Sequence, residues 1–249
     1  MAESATEYSN SAIIKIAHQS WIPLRKEPSS ASEMVSCLLF GEKAEVLSQQ
    51  DDWLEVRCLH DQYMGFIPVS YFETALSIDW HSDVRLLSGL SSIELNHQPY
   101  LLSPGSKIPS NCLSNLHIYT QRNNWVDFCY QYLNTPYLWG GRSIFGIDCS
   151  GLTQVYAEYR GIALPRDAYQ QAEIGDRVDF GDQKPGDLAF FQNASGKITH
   201  VGILLDEHKI IHASGKVRID KFTIDGIQHV ENHSLTHVLA GIKRYFTDV

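Results

Sequence analysis

The residues best placed to do chemistry in this chain are one cysteine and two histidines, and each sits in a recognisable pattern. Asp148-Cys149-Ser150-Gly151 follows the Gly-rich stretch Tyr137-Leu138-Trp139-Gly140-Gly141-Arg142-Ser143 and opens an amphipathic run. Leu152, Val155, Tyr156 and Tyr159 fall at i, i+3, i+4 and i+7, which predicts a helix, and Gly161 supplies its stop. Cys149 then lies in the first turn, where exposed backbone N–H groups and the positive end of the helix dipole favour a thiolate over a thiol. A lone cysteine is more often a buried apolar side chain than a nucleophile, so its company decides the matter. A sulfur nucleophile needs a base, and the base needs an orienting group.

Downstream, Ile198 to Leu205 reads as a strand, Asp206-Glu207-His208-Lys209 as a polar turn, and Ile210 to Gly215 as a second strand, with His200 on the first and His212 on the second. With an odd-numbered loop, Asp206 to His208, Leu205 pairs with Lys209 and Gly202 lies opposite His212. The two histidines then share a face as diagonal neighbours. An even loop places them on opposite faces, and the sequence leaves that register open.

Taken together, Asp148-Cys149-Ser150-Gly151, Thr199-His200-Val201-Gly202-Ile203 and Ile211-His212-Ala213-Ser214-Gly215 resemble the three blocks of the NlpC-type cysteine peptidases. These are papain-like enzymes that cut bacterial cell-wall peptides. The resemblance implies an α+β fold, with helices packed on an antiparallel sheet, over residues 116–249. It implies Cys149 as nucleophile, His200 as general base and His212 as the member that orients His200. Pro185 to Phe191 resembles the family's strand leading into the histidine hairpin. Asp148 caps the helix, worth about 1 kcal/mol, and by resemblance also pairs with the free α-amine of an N-terminal L-Ala. Ser150 and Tyr137 are placed at the substrate on the same ground. The implied substrate is L-Ala-γ-D-Glu-diamino acid, cut after γ-D-Glu; intact wall, whose L-Ala amine is blocked, is excluded because the carboxylate would lose its cation. That suits a recycling enzyme acting on released peptides. Two other readings compete: a non-catalytic protein that captures peptides through its N-terminal module, and a thiol acyltransferase or amidase acting on another γ-glutamyl peptide.

Stepping toward the N-terminus, residues 11–80 read as a small β module. Leu54, Val56 and Cys58 alternate with Trp53, Glu55 and Arg57, Ala44 to Leu47 is a short apolar strand, and turn-like runs separate the strands. The order Leu24 to Pro28, Leu39 to Glu42, Asp52 to Val56 and Tyr63 to Ile67 resembles a bacterial SH3-like barrel. In cytoplasmic relatives such a module covers one end of the cleft, and Tyr63 matches the position from which a tyrosine reaches the substrate; Glu27 is a weaker candidate for meeting a substrate amine. Residues 81–115, with Pro99, Pro104 and Pro109, read as an irregular connector with short strands at Leu86-Leu87 and Tyr100 to Leu102. Asn124 to Asn134 is predicted as a helix, capped by Asn123 or Asn124 and packed on the Cys149 helix. Leu164 to Gln171 resembles a family segment that often reads Arg-Asp-Ser where this chain has Ala168; where that hydroxyl meets substrate in relatives, the resemblance implies one hydrogen bond fewer here.

Composition bounds the rest. The chain has 249 residues, a formal charge of −9, and five cysteines with no CxxC pair, which argues against a disulfide framework or a zinc knot. The acidic balance disfavours nucleic acid and anionic wall polymers, leaving a small peptide as partner. No stretch approaches the roughly 20 apolar residues of a membrane span. The first ten residues lack a basic leader, an apolar core and a lipoprotein-type cysteine, so a cytoplasmic protein is expected. His229, His233 and His237 would make a zinc face on a continuous helix. Leu235 to Ile242 reads instead as a strand, so neither metal nor cofactor is expected.

Overall fold

The computed structural model describes residues 12–72, 78, 80, 84–120 and 124–246; the N-terminal eleven residues, Asn123 and the final three residues lie outside them. Six strands build the first sheet: β1 (Ile13–Ile16), β2 (Trp21–Arg25), β3 (Met34–Leu39), β4 (Lys43–Gln50), β5 (Trp53–Cys58) and β6 (Met64–Pro68), in the order β1-β4-β5-β6-β2-β3. Alternation drives it. Leu54, Val56 and Cys58 are buried together with Ile22, Leu24, Leu38 and Ile67, while the residues between them face outward.

The stretch expected to be an irregular connector is more ordered than its prolines and serines suggest. Strands β7 (Val84–Leu86) and β10 (Lys107–Pro109) pair, and β8 (Ser91–Leu95) carries β9 (Gln98–Leu102) on one side and β11 (Leu116–Ile118) on the other. The last strand runs past residue 115, because its pairing partner lies some twenty residues upstream, beyond what local pattern reveals. This unit has its own core of Leu87, Ile93, Leu102 and Ile108 against Phe40 of the first sheet. It also reaches the C-terminal region, where the Tyr132 hydroxyl donates to the Pro104 carbonyl at 2.8 Å.

Helix α1 (Trp125–Tyr130) is shorter than the predicted span. Asn124 caps it, accepting from the Asp127 N–H at 2.9 Å, but beyond Tyr130 the bonds tighten to i→i+3 spacing and end at Asn134, whose φ is 67° and whose N–H is given to the Val217 carbonyl. A small hairpin, β12 (Arg142–Ser143) and β13 (Gly146–Ile147), leads into α2 (Cys149–Tyr159). The predicted stop is a Schellman arrangement: Gly161 has φ 84°, its N–H bonds the Glu158 carbonyl, and the Ile162 N–H bonds that of Ala157. Helix α3 (Ala168–Glu173) follows.

The remaining strands are β14 (Asp176–Val178), β15 (Leu188–Gln192), β16 (Ile198–Leu204), β17 (Lys209–Ser214), β18 (Lys216–Thr223), β19 (Gly226–Gln228) and β20 (Leu235–Arg244). They run in the order β14-β20-β15-β16-β17-β18-β19, and β19 also pairs with β20, so the sheet from β15 to β20 closes on itself. Closure gives each strand an inside and an outside. Val201, Ile203, Ile211 and Ala213 face outward under α1 and α2, packed on Leu152, Val155, Tyr156 and Phe128. Phe191, Leu204, Ile210, Phe222, Ile227 and Ile242 fill the interior. Helices on an antiparallel sheet, preceded by a strand-rich domain, make this an α+β protein.

Candidate active site

Asp148 and Gly151 fix the first turn of α2. The Asp148 Oδ1 accepts the Gly151 N–H at 2.7 Å, and a side chain at position 151 would begin only 2.2 Å from the Gly141 carbonyl oxygen, so the Gly-rich loop and the helix can touch only through a glycine. Cys149 is thereby set at the floor of a cleft of about 660 Å³, together with Asp148, Ser150, Arg166, Asp167, Ala168 and Thr199. Residues of the first domain form the opposing wall: Lys26, Glu33, Val35, Tyr63 and Met64.

The histidine hairpin adopts the register of the odd-numbered turn, with Gly202 opposite His212 and the Leu205 N–H bonded to the Lys209 carbonyl at 2.9 Å. Both imidazoles point into one end of the barrel, His200 Nε2 lying 2.8 Å from His212 Nδ1. Gly202 shares that face. A Cβ there would meet the His212 Cβ at 2.9 Å and Ile210 at 2.7 Å, so the glycine keeps open the space in which the two rings meet. Pairing of β16 with β17 stops at Gly202, and the Cys149 sulfur accepts the N–H of Val201, the residue after His200, as well as that of Ser150. Among the described residues the sulfur's partners are these backbone amides and not the His200 ring, a looseness common in unliganded sites that tightens when substrate binds.

Burial sets the resting protonation, and against the expectation from helix position. The thiol of Cys149 is pushed up to about 12, first by desolvation and then by the Asp148 charge, which together outweigh the Val201 N–H, Arg166 and the Ser150 N–H. His200 is held well below the usual imidazole range by desolvation, then by the charges of His212 and His237. The resting pair is therefore neutral thiol and neutral imidazole. Alkylation of Cys149, followed by mass mapping, should rise about tenfold per pH unit from pH 7 to 10 with no plateau, because thiolate fraction sets the rate. A plateau beginning below pH 7 would instead reveal a preformed ion pair.

Asp148 lines the cleft but is already engaged. Arg166 forks onto both its oxygens, at 3.1 Å to Oδ1 and through a second, short bond to Oδ2; Gly140 N–H adds a bond of 2.8 Å, and Ser150 Oγ lies 3.4 Å away. Its acceptor positions are filled, so a direct bond to a substrate amine has to share them with Arg166. Ser150 in turn accepts from Arg166 at 2.8 Å. Asp167 is the better exposed neighbour, accepting from the Tyr63 hydroxyl; desolvation and the Asp148 charge raise its pKa, against the pull of Arg166. The Tyr63 phenol is itself raised to about 12, chiefly by desolvation and then by Asp167. Tyr137 is half-buried, its phenol raised chiefly by desolvation and then by its neighbours Cys149 and Asp148, with its N–H bonded to the Gly215 carbonyl at 3.0 Å.

Glu27 is exposed and stands outside the cleft lining; Glu33, six residues on, lines it and accepts from the Trp139 indole N–H at 2.8 Å. The turn between β2 and β3 carries both acids, and sequence gave no signal for which one faces inward. Two further residues were missed. Asp220, on β18, places Oδ2 3.1 Å from His212 Nε2. His237, on β20, stacks on the His200 ring at 4.1 Å and 25°. His229 and His233 precede β20 and share no helix with His237, which removes the zinc face. The nitrogens of His200, His212 and His237 lie within 4.8 Å of one another, with His200 Nε2 engaged by His212 Nδ1, His212 Nε2 by Asp220 and His237 Nδ1 by Thr236.

Arg142 ties the cleft to the first domain. Fully buried, it donates to Glu42 at 2.8 and 3.1 Å and to the Cys37 carbonyl at 3.1 Å. Cys37 and Leu39 pack into the same core as α1 and α2.

Residues 134–236 match the NlpC/P60 family and residues 24–71 match the bacterial dipeptidyl-peptidase Sh3 domain. The chain is 45% identical over 84 residues to gamma-D-glutamyl-L-lysine dipeptidyl-peptidase of Bacillus subtilis (strain 168), covering 33% of this chain and 28% of that one. It is 39% identical over 100 residues to probable endopeptidase NlpC of Escherichia coli (strain K12), covering 39% of this chain and 65% of that one. Both relatives are thus covered over less than two thirds of their own length. A crystal structure of an NlpC/P60 family protein from Bacillus cereus ATCC 10987 superposes on 94% of this chain and 99% of its own with a TM-score of 0.73 at 20% identity, a likeness of fold.

Proposed function

This chain carries an NlpC/P60 cysteine peptidase domain behind a bacterial SH3 domain, and from that premise we propose that it hydrolyses the γ-D-glutamyl-diamino acid bond of released cell-wall peptides bearing a free N-terminal L-Ala. Cys149 is the nucleophile, His200 the base and His212 its support. The thiol proton passes to His200 as the sulfur attacks the scissile carbonyl; the C–N bond then breaks, the leaving amine takes that proton, and water, activated by the same imidazole, releases the acyl group. The backbone N–H of Cys149 is the proposed oxyanion donor.

One observation supports the choice of substrate: the first domain supplies the wall opposite Cys149 and bounds the cleft there, and it is against this wall that we place the peptide's amino end. A wall there favours short peptides over polymer. Across the cleft, Asp167, held by Tyr63, and Glu33 offer an ammonium group carboxylate acceptors, with Lys26, Arg166 and Lys197 lining the same space. In this reading Asp148 acts with Ser150 and Tyr137 to shape an acidic pocket, while Asp167 offers the freer acceptor. The Bacillus subtilis relative bears a name for the same class of bond. Five cysteines, all buried and unbridged, suit a reducing compartment and so a cytoplasmic, recycling role. No helix among the described residues is long and apolar enough to cross a membrane.

N-acetylation of the alanine should abolish turnover of the tripeptide L-Ala-γ-D-Glu-diamino acid by purified protein, because it removes the cation these carboxylates are proposed to meet and puts an uncharged acyl group in its place. Equal rates on the free and acetylated peptides would eliminate amine recognition.

A further inference from the structure

We infer that Asp220 is a positioning residue which fixes the tautomers of both barrel imidazoles, so that His200 presents its unprotonated Nδ1 as the base. This deepens the hydrolysis proposed above and rests on it for the chemistry, though not for the geometry. The reasoning starts from a carboxylate that only accepts. Asp220 is ionised, its pKa lowered, against its desolvation, by bonds from His212, the Val230 N–H and Arg218. Its Oδ2 lies 3.1 Å from His212 Nε2, so that nitrogen carries the proton.

A neutral imidazole has a single N–H, and His212 is kept neutral because desolvation outweighs the pull of Asp220. Its Nδ1 is therefore a lone pair. That lone pair faces His200 Nε2 at 2.8 Å, which must be the donor. His200 is neutral as well, so its remaining nitrogen, Nδ1, is the acceptor left for the thiol proton of Cys149. One carboxylate thus sets two rings in series, and it stays ionised throughout the reaction.

The fold holds this carboxylate in place. Strands β17 and β18 turn at Gly215, whose φ is 68°, and their register sets Asp220 opposite Ile210 and diagonal to His212 on the inner face. The Val230 N–H reaches Oδ1 at 2.9 Å, Arg218 Nη2 reaches Oδ1 at 3.0 Å, and Arg218 Nε lies 2.7 Å from Oδ2. His237 is the other titratable group facing the two rings, and its Nδ1 is engaged with Thr236 Oγ1 at 2.9 Å.

Asp220→Asn reverses the series, since its amide can donate to His212 Nε2, which moves protons to His212 Nδ1 and His200 Nδ1 and removes the base. Turnover of the tripeptide should fall by about 10⁴-fold in kcat with KM nearly unchanged, as tautomer reversal does in a comparable catalytic relay. Nitrogen-15 NMR of the imidazoles gives a readout that needs no substrate: the wild-type protein should show protons on Nε2 of both rings, and the variant protons on Nδ1. Asp220→Glu should recover part of the loss and the wild-type tautomers. A wild-type His200 protonated at Nδ1, or an Asp220→Asn protein that keeps turnover within about tenfold of wild type, would overturn the assignment. If the variant does not fold, the wild-type spectrum alone decides. A wild-type protein with the expected tautomers but no action on the tripeptide would count against the proposed substrate and leave the positioning role standing.

Discussion

Replacing Cys149 with alanine is expected to lower kcat for the tripeptide by about 10⁴ to 10⁶-fold, the scale seen when a peptidase loses its nucleophile. The affinity for peptide should hardly change. Cys149 contributes a sulfur at the cleft floor, whereas the groups proposed to meet the amine are Tyr63, Asp167 and Glu33, which line the same cleft. Ser150 cannot take over, because its oxygen accepts from the Arg166 guanidinium and its O–H is directed at Asp148 Oδ1. Cys149→Ser should be nearly as inactive, since the site's base is a strongly depressed imidazole that has to deprotonate a far weaker acid. Calorimetric titration of Cys149→Ala with intact tripeptide, beside steady-state kinetics of both variants, separates binding from chemistry. Residual activity within tenfold of wild type would take the sulfur out of the reaction, and a wild-type protein that binds peptide without turnover would favour a capture module.

Arg166→Ala should cost about 3 to 5 kcal/mol of stability, because it strips a buried carboxylate of its cation. Asp148 is 3% exposed and Arg166 2%, and between them they hold Ser150, the Gly140 N–H and, through Arg166 Nε, the Ser36 hydroxyl at 3.2 Å. For a chain of this size the loss corresponds to a drop in Tm of roughly 6 to 20 °C. Arg166→Lys should recover only part of it, since an ammonium cannot make the forked bond to both oxygens. The uncompensated Asp148 charge should also raise the Cys149 thiol further and slow its alkylation at fixed pH, a coupling in the direction of the charges already acting there. Denaturation by urea measures the first effect and alkylation kinetics the second. A stability change below about 1 kcal/mol would show that water replaces the guanidinium without penalty.

The chemistry proposed here was legible because its carriers are tied to short-range pattern. A cap at Asp148, apolar residues at helical spacing and a glycine stop put Cys149 at the start of a helix, since capping and periodicity act over a few residues. Likewise the three-residue turn Asp206 to His208 brought His200 and His212 to one face, although sequence alone left an even loop open. Residues 81–115 were harder, because their strands pair across distances that no local window spans.

What sequence by itself determined, then, is where the sulfur and the two imidazoles stand along the chain and on which elements. Tertiary structure decided their environment. The register of β18 on β17 set Asp220 beside the His212 ring, closure of β19 onto β20 and of β20 onto β15 brought His237 to the His200 ring 37 residues away, and packing α2 against the outer face of the barrel left the thiol protonated where the helix dipole alone favours its anion. The physical reason is range: propensity and caps are settled by neighbours in sequence, while desolvation and charge pairing depend on whichever groups the completed fold encloses together.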